Sequence, residues 1–192
     1  MVIILNKQPN ITENTKKAFI EAFCIINRQK PIEKITIQEL TKKAGYNRCT
    51  FYQYFKDIYD LRDHIENIVI DHVKENFQKN ISKDNFSETF IAAFTKIQSE
   101  KAIYFDLLLD RKNRSHFIER LNFEVSSIFI EKFNLPLDDL RTKYFVEIYF
   151  STVITAISCW IDQKRDLTLE NLSNLIREIL TDGIMSKIIF KY

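Results

Sequence analysis

One stretch of the chain gathers polar side chains while leaving out carboxylates. Residues 36–61 read TIQELTKKAGYNRCTFYQYFKDIYDL. Ile37, Leu40, Ala44, Phe51 and Phe55 are spaced to close a small core. That leaves Gln38, Asn47, Arg48, Thr50, Tyr52, Gln53, Tyr54 and Lys56 outside, with no Asp or Glu between Glu39 and Asp57. A bland solvent-facing helix carries interleaved Glu and Lys instead. Hydroxyls and amines suit phosphate oxygens, and Arg and Gln match the donor and acceptor patterns of base edges. The chemistry implied is recognition of a polyanion.

Bond-making chemistry has no comparable cluster. The chain contains no GxSxG, no HExxH and no Cys/His pair at a useful spacing. His64, His72 and His116 follow Leu61, Val69 and Asn113 by three positions, so the Glu-x-x-His pairs of a di-metal bundle are missing. Cys24, Cys49 and Cys159 form no CxxC and no zinc spacing. No enzyme activity, metal or cofactor is expected. Cys49 lies beside the polar surface and is read as an inert thiol rather than a redox switch. An odd cysteine count, and an opening Met1–Leu5 too short for a signal segment, lead to the expectation of a soluble cytoplasmic protein. No apolar run is read as approaching the ~18 residues of a membrane span, so no membrane partner is expected.

The elements that must position these residues are helical. There are two glycines, Gly45 and Gly183, and three prolines in 192 residues. Gly-rich phosphate loops are excluded, and a fold built on tight hairpins is disfavoured. Residues 1–64 hold 11 Lys and Arg against 7 Asp and Glu, whereas the remainder is slightly acidic, so the basic end coincides with the polar stretch. Phe19, Ala22, Phe23 and Ile26 mark one face of a first helix from about Thr12 to Arg28, closed by Lys30-Pro31. Thr36 and Glu39 have capping-box spacing for a second helix, which Gly45 stops. A third helix runs from about Asn47 to Phe55, and Asp57 caps a long fourth. Three short helices with a tight glycine-containing turn make helix-turn-helix geometry. Further helices are expected around 86–97, 103–109, 117–133 and 137–161, with a last one capped by Thr168 and ended near Gly183.

The first third of the chain resembles the DNA-binding domain of TetR-family transcriptional regulators, in the variant typical of low-GC Gram-positive bacteria. The resemblance is carried by Ala18 and Phe23, Lys30-Pro31, Ile35-Thr36-Ile37, Leu40, Ala44-Gly45, Asn47-Arg48, the run Thr50-Phe51-Tyr52-x-Tyr54-Phe55-Lys56-Asp57, and Leu61. It implies an all-α protein with a helix-turn-helix domain over 1–56 and a helical regulatory and dimerisation domain over 57–192. It further implies that the third helix enters the major groove. Thr36, Thr50, Tyr52, Tyr54 and Lys56 then become phosphate contacts, and Gln38, Asn47, Arg48 and Gln53 base readers. Many members carry a lysine at position 58 for another phosphate. Here the residue is Ile58, which leaves Lys56 to serve and lowers the salt slope by about one.

The C-terminal half resembles the ligand-binding and dimerisation half of the same subset, which includes activators of dihydroxyacetone-kinase operons. In such proteins the last two long helices pair across a two-fold axis. Tyr149, Val153, Trp160, Leu172, Ile176 and Ile179 are therefore expected at a homodimer interface. His72, Phe94, Phe105 and Phe123 are expected around a small apolar or aromatic effector. Three functions are weighed: a ligand-responsive repressor of a palindromic operator, an activator controlled by a partner protein, and a helical interaction protein that has lost DNA binding. The first is preferred, because ligand-relieved repression is the commonest mode in the family.

Overall fold

A computed structural model describes residues 9–80, 114–136 and 138–183, with parts of the stretch between 92 and 109. Among the described residues all regular structure is helical. The helices are α1 (Pro9–Asn27), α2 (Ile37–Ala44), α3 (Arg48–Tyr52), α4 (Ile58–Asn80), α5 (Arg114–Lys132), α6 (Leu140–Asp162) and α7 (Leu169–Asp182), with a 3-10 turn at Ile32–Lys34. The chain divides into two compact units, 1–67 and 68–192. The division falls inside α4.

In the first unit α1 packs on α2 and α2 on α3. The core is aromatic: the Phe19 ring meets Phe51 edge-on at 5.4 Å and Phe55 edge-on at 6.2 Å. The expected α1 face of Phe19, Ala22, Phe23 and Ile26 is buried throughout, as are Leu40, Phe51 and Phe55. Ile37 and Ala44 are only half-buried. Gly45 has φ +77°, the left-handed conformation that closes α2. Around it the Tyr46 N–H donates to the Thr41 carbonyl at 3.0 Å and the Gly45 N–H to that of Lys42 at 3.4 Å. The Asp57 carboxylate accepts the Asp60 N–H at 2.8 Å at the start of α4.

In the second unit α6 packs against both α5 and α7. Phe117, Leu121, Val125 and Phe129 of α5 and Phe150, Val153 and Ile157 of α6 are all buried, and the Phe129 ring meets Phe150 edge-on at 5.9 Å. Trp160 donates from Nε1 to the Leu167 carbonyl at 2.8 Å, and the Arg165 guanidinium lies over its ring, which together hold the loop before α7. The expected Thr168 cap is formed, its hydroxyl accepting the Asn171 N–H at 3.2 Å. Glycine is scarce, so α5 and α6 close on Asn134 and Lys164 with φ of 47° and 58°.

Two expectations need correction. α6 is 23 residues long and, by length and composition, apolar enough to cross a membrane. Scattered Ser and Thr and the charge of Glu147 interrupt its apolar run in the sequence. In this fold eight of its residues are buried against neighbouring helices. Phe123, expected around an enclosed effector, is 73% exposed, because it lies on the side of α5 opposite the buried Leu121–Val125–Phe129 stripe. The expected helix at 86–97 lies for the most part outside the described residues.

Candidate nucleic-acid interface

The helix-turn-helix exposes most of the polar residues that the spacing placed outside, and adds internal order. Gln38, Asn47, Arg48, Tyr52, Gln53 and Lys56 are exposed, and Thr36 with them, while Thr50 and Tyr54 are half-buried. Phe51 of α3 and Phe55 just beyond it are buried at the same time, their rings 5.6 Å apart.

Three local hydrogen-bond patterns pre-order this surface. Thr36 caps α2 by accepting the Glu39 N–H at 3.2 Å, which leaves its own O–H free to donate outward. The capping box is only half made. The Glu39 carboxylate pairs with the Lys30 ammonium instead of returning to the cap, which ties α2 to the turn after α1. Asn47 caps α3: its Oδ1 accepts both the Thr50 N–H at 2.9 Å and the Thr50 hydroxyl at 3.1 Å. The amide NH2 of Asn47 is then the end left for a ligand, and the Thr50 hydroxyl presents lone pairs rather than its proton. Arg48 donates from Nη2 to Gln38 Oε1 at 2.9 Å, joining the two helices across the turn. That contact engages one of five guanidinium donors and fixes the plane of the rest.

Ile58 is 6% exposed and belongs to the small core, so the position carries packing and no charge. Lys56 is exposed, and its backbone N–H donates to Asp60 at 2.8 Å. Lys42 and Lys43, exposed in the last turn of α2, add cations the sequence reading had passed over. Their only signal was an ordinary basic pair. Cys49 is exposed on α3 and Cys24 is buried, where desolvation pushes its thiol up to about 12. His64 sits against the Phe55 ring at 5.5 Å, and burial together with Lys16 holds it below the usual imidazole range.

Most of the residues expected at a dimer interface are buried in the protomer. Tyr149, Val153, Trp160, Leu172 and Ile176 are buried within the protomer's own core, and Ile179 is half-buried. The outward face of α6 is apolar instead: Leu140, Tyr144, Phe145 and Ile148 are each about 60% exposed, with Leu175 of α7 partly exposed as well. Of the expected effector residues, His72 is half-buried on α4 and Phe123 is on the surface. Phe94 and Phe105 lie outside the described residues.

Similarity to known proteins agrees with this geometry. The family model for the C-terminal region of TetR-type transcriptional regulators matches residues 84–182, more than half of the chain. An HTH-type transcriptional regulator of Staphylococcus aureus is 23% identical over 166 residues, spanning 81% of this chain and 86% of its own. The fold is that of a TetR transcriptional regulator from Streptococcus agalactiae, with a TM-score of 0.66 at 19% identity over 91% of this chain and 96% of the other. It is also that of a dihydroxyacetone kinase operon activator, with a TM-score of 0.57 at 19% identity over 90% and 97% of the two chains. The proteins matched are transcriptional regulators, not enzymes.

Proposed function

This chain belongs to the TetR family of transcriptional regulators, and from that premise we propose that it is a ligand-responsive repressor binding a palindromic operator as a homodimer. The observation that carries this reading is the Gln38–Arg48 hydrogen bond on an exposed surface with no carboxylate between Glu39 and Asp57. It aligns a guanidinium and the Gln38 amide before DNA arrives, so less side-chain freedom is lost on binding. Thr36, Tyr52, Tyr54 and Lys56 hold phosphates and set the register. Gln38, Asn47, Arg48 and Gln53 read bases, with Thr50 holding Asn47 in place. This reading goes with a cytoplasmic location, where bacterial DNA lies.

Dimerisation is required because one small module reads few base pairs. Two recognition helices about 34–36 Å apart read two half-sites. The outward face of α6, continued by Leu175, is the surface assigned to the second copy. The same face favours a second reading, in which a different protein covers it and controls an activator. Light scattering on the purified chain separates them: a dimer that Ile148→Asp converts to monomer supports the first, and a monomeric wild type supports the second.

The function is tested by fluorescence anisotropy at stated salt, with DNA flanking the protein's own gene against a scrambled duplex. A preference of about 10³ or more supports an operator-specific regulator. Equal weak binding to both duplexes counts against it and favours a helical interaction protein.

A further inference from the structure

We propose that a cleft between α5 and α6 is a binding site for a small, neutral, polyhydroxylated molecule of about monosaccharide size. The cleft has a volume of about 340 Å³, within the range of small-ligand sites. Two polar atoms at its lining are shielded from solvent and have no hydrogen-bond partner: Asn122 Oδ1 of α5 and Ser158 Oγ of α6. Ser158 is 4% exposed, so water outside the cleft does not satisfy it. Buried polar atoms are normally paired, and two orphans in one cleft point to an occupant that pairs them.

The lining chooses the chemistry. Ser151 and Thr155 add hydroxyls to the same wall, while Ile118 and Ile154 offer apolar surface on either side. A hydroxyl both donates and accepts, so it serves the Asn122 amide and the Ser158 hydroxyl alike. The C–H faces of a polyol then lie on the two isoleucines. At the end of the cleft Arg114 donates to Asp162 at 3.3 Å, so the two charges compensate each other and call for no ionic ligand. An apolar ligand leaves both oxygens unpaired, and an anion meets the Asp162 carboxylate and the amide oxygen. This ligand class differs from the small apolar or aromatic effector expected from the sequence. As a regulatory signal the site rests on the ligand-responsive reading above, but its occupancy does not.

The site also lies on the helix whose first half carries the exposed apolar face. Ser151, Thr155 and Ser158 follow Tyr144 and Ile148 along α6. A molecule seated between α5 and α6 therefore acts on the element assigned to the second copy.

The test is thermal unfolding of the full chain without DNA, titrated with glycerol, D-ribose, D-glucose and myo-inositol at millimolar concentrations. Gluconate and indole serve as the anionic and apolar comparisons. At least one neutral polyol is expected to raise the melting temperature by about 2–4 °C, and the rise to saturate. Ser158→Ala and Asn122→Leu are expected to abolish that rise while keeping a cooperative transition. Polyols excluded from protein surfaces stabilise every variant in a linear, non-saturating way. A rise of that kind alone, a rise unchanged in both variants, or a response only to gluconate or indole overturns the site. Anisotropy with the flanking DNA then reads the consequence. A saturating rise with unchanged DNA affinity upholds the site and removes the effector reading, whereas loss of DNA binding leaves the thermal result intact.

Discussion

Asn47 performs two separable tasks, and two substitutions pull them apart. Its Oδ1 caps a helix of only five residues by accepting from the Thr50 N–H and the Thr50 hydroxyl. Asn47→Ala removes the cap, at a cost of about 1 kcal/mol within a usual range of about 0.5–2. Asn47→Asp keeps an acceptor of equal capping quality and adds a negative charge favourable to a helix N-terminus. Its stability is therefore expected to match the wild type within about 0.5 kcal/mol. On DNA the order reverses. The amide NH2 is gone in both variants, and the carboxylate brings one negative charge towards phosphates. At about 4 Å in water such a charge costs about 1 kcal/mol, so Asn47→Asp is expected to bind about five-fold or more weakly than Asn47→Ala at low salt. The gap narrows as salt rises. Urea denaturation followed by circular dichroism reads the first task, and fluorescence anisotropy at two salt concentrations reads the second. If Asn47→Asp is as unstable as Asn47→Ala, the cap assignment is refuted. If it binds DNA like the wild type, position 47 does not face the duplex.

Further outcomes follow from the same structure. In native protein a thiol reagent is expected to modify Cys49 and Cys159 quickly and Cys24 only on denaturation, because burial lifts the Cys24 thiol to about 12; three fast thiols in a mass-spectrometric time course would contradict this. His64 titrates below its ordinary value in the fold, so the unfolded chain takes up the proton first as pH falls. Its contribution to stability is present above about pH 6.5 and is lost on acidification through the lowered folded value. His64→Phe keeps the ring contact with Phe55 and is expected to flatten the dependence of the urea midpoint on pH below 6.5. Lys164 ends α6 at φ 58°, where glycine is unstrained, so Lys164→Gly is expected to stabilise by about 0.5–1 kcal/mol in the same denaturation assay. Ile148→Asp is expected to dissociate a dimer in light scattering while leaving the far-ultraviolet spectrum unchanged, since the residue is 62% exposed and outside the protomer core.

Much of the first unit is legible in the sequence because its signals are local. The caps at Thr36 and Asp57 and the stop at Gly45 each depend on hydrogen bonds spanning a few residues, so type and spacing suffice to place them. The Phe19–Ile26 face is equally plain, since only one side of α1 repeats at helical spacing. The division of the polar stretch from the Phe51–Phe55 anchor follows for the same reason.

Tertiary structure decided what spacing leaves open. Glu39 has the capping-box position, yet its carboxylate pairs with Lys30, brought near by the turn after α1. α6 is apolar on both sides, with Tyr149, Val153 and Trp160 on one and Leu140, Tyr144 and Ile148 on the other. Periodicity shows that such a helix buries much of itself but not which side meets its neighbours. Packing against α5 and α7 takes the first set, and the second remains as the outward surface. Phe123 is exposed because the α5 stripe that fits α6 runs through Leu121 and Val125. The orphaned oxygens of Asn122 and Ser158 are 36 positions apart in the chain and meet one cleft only when those helices pack. Local hydrogen bonding is written within a few neighbouring residues, whereas burial is a property of faces that must first find partners.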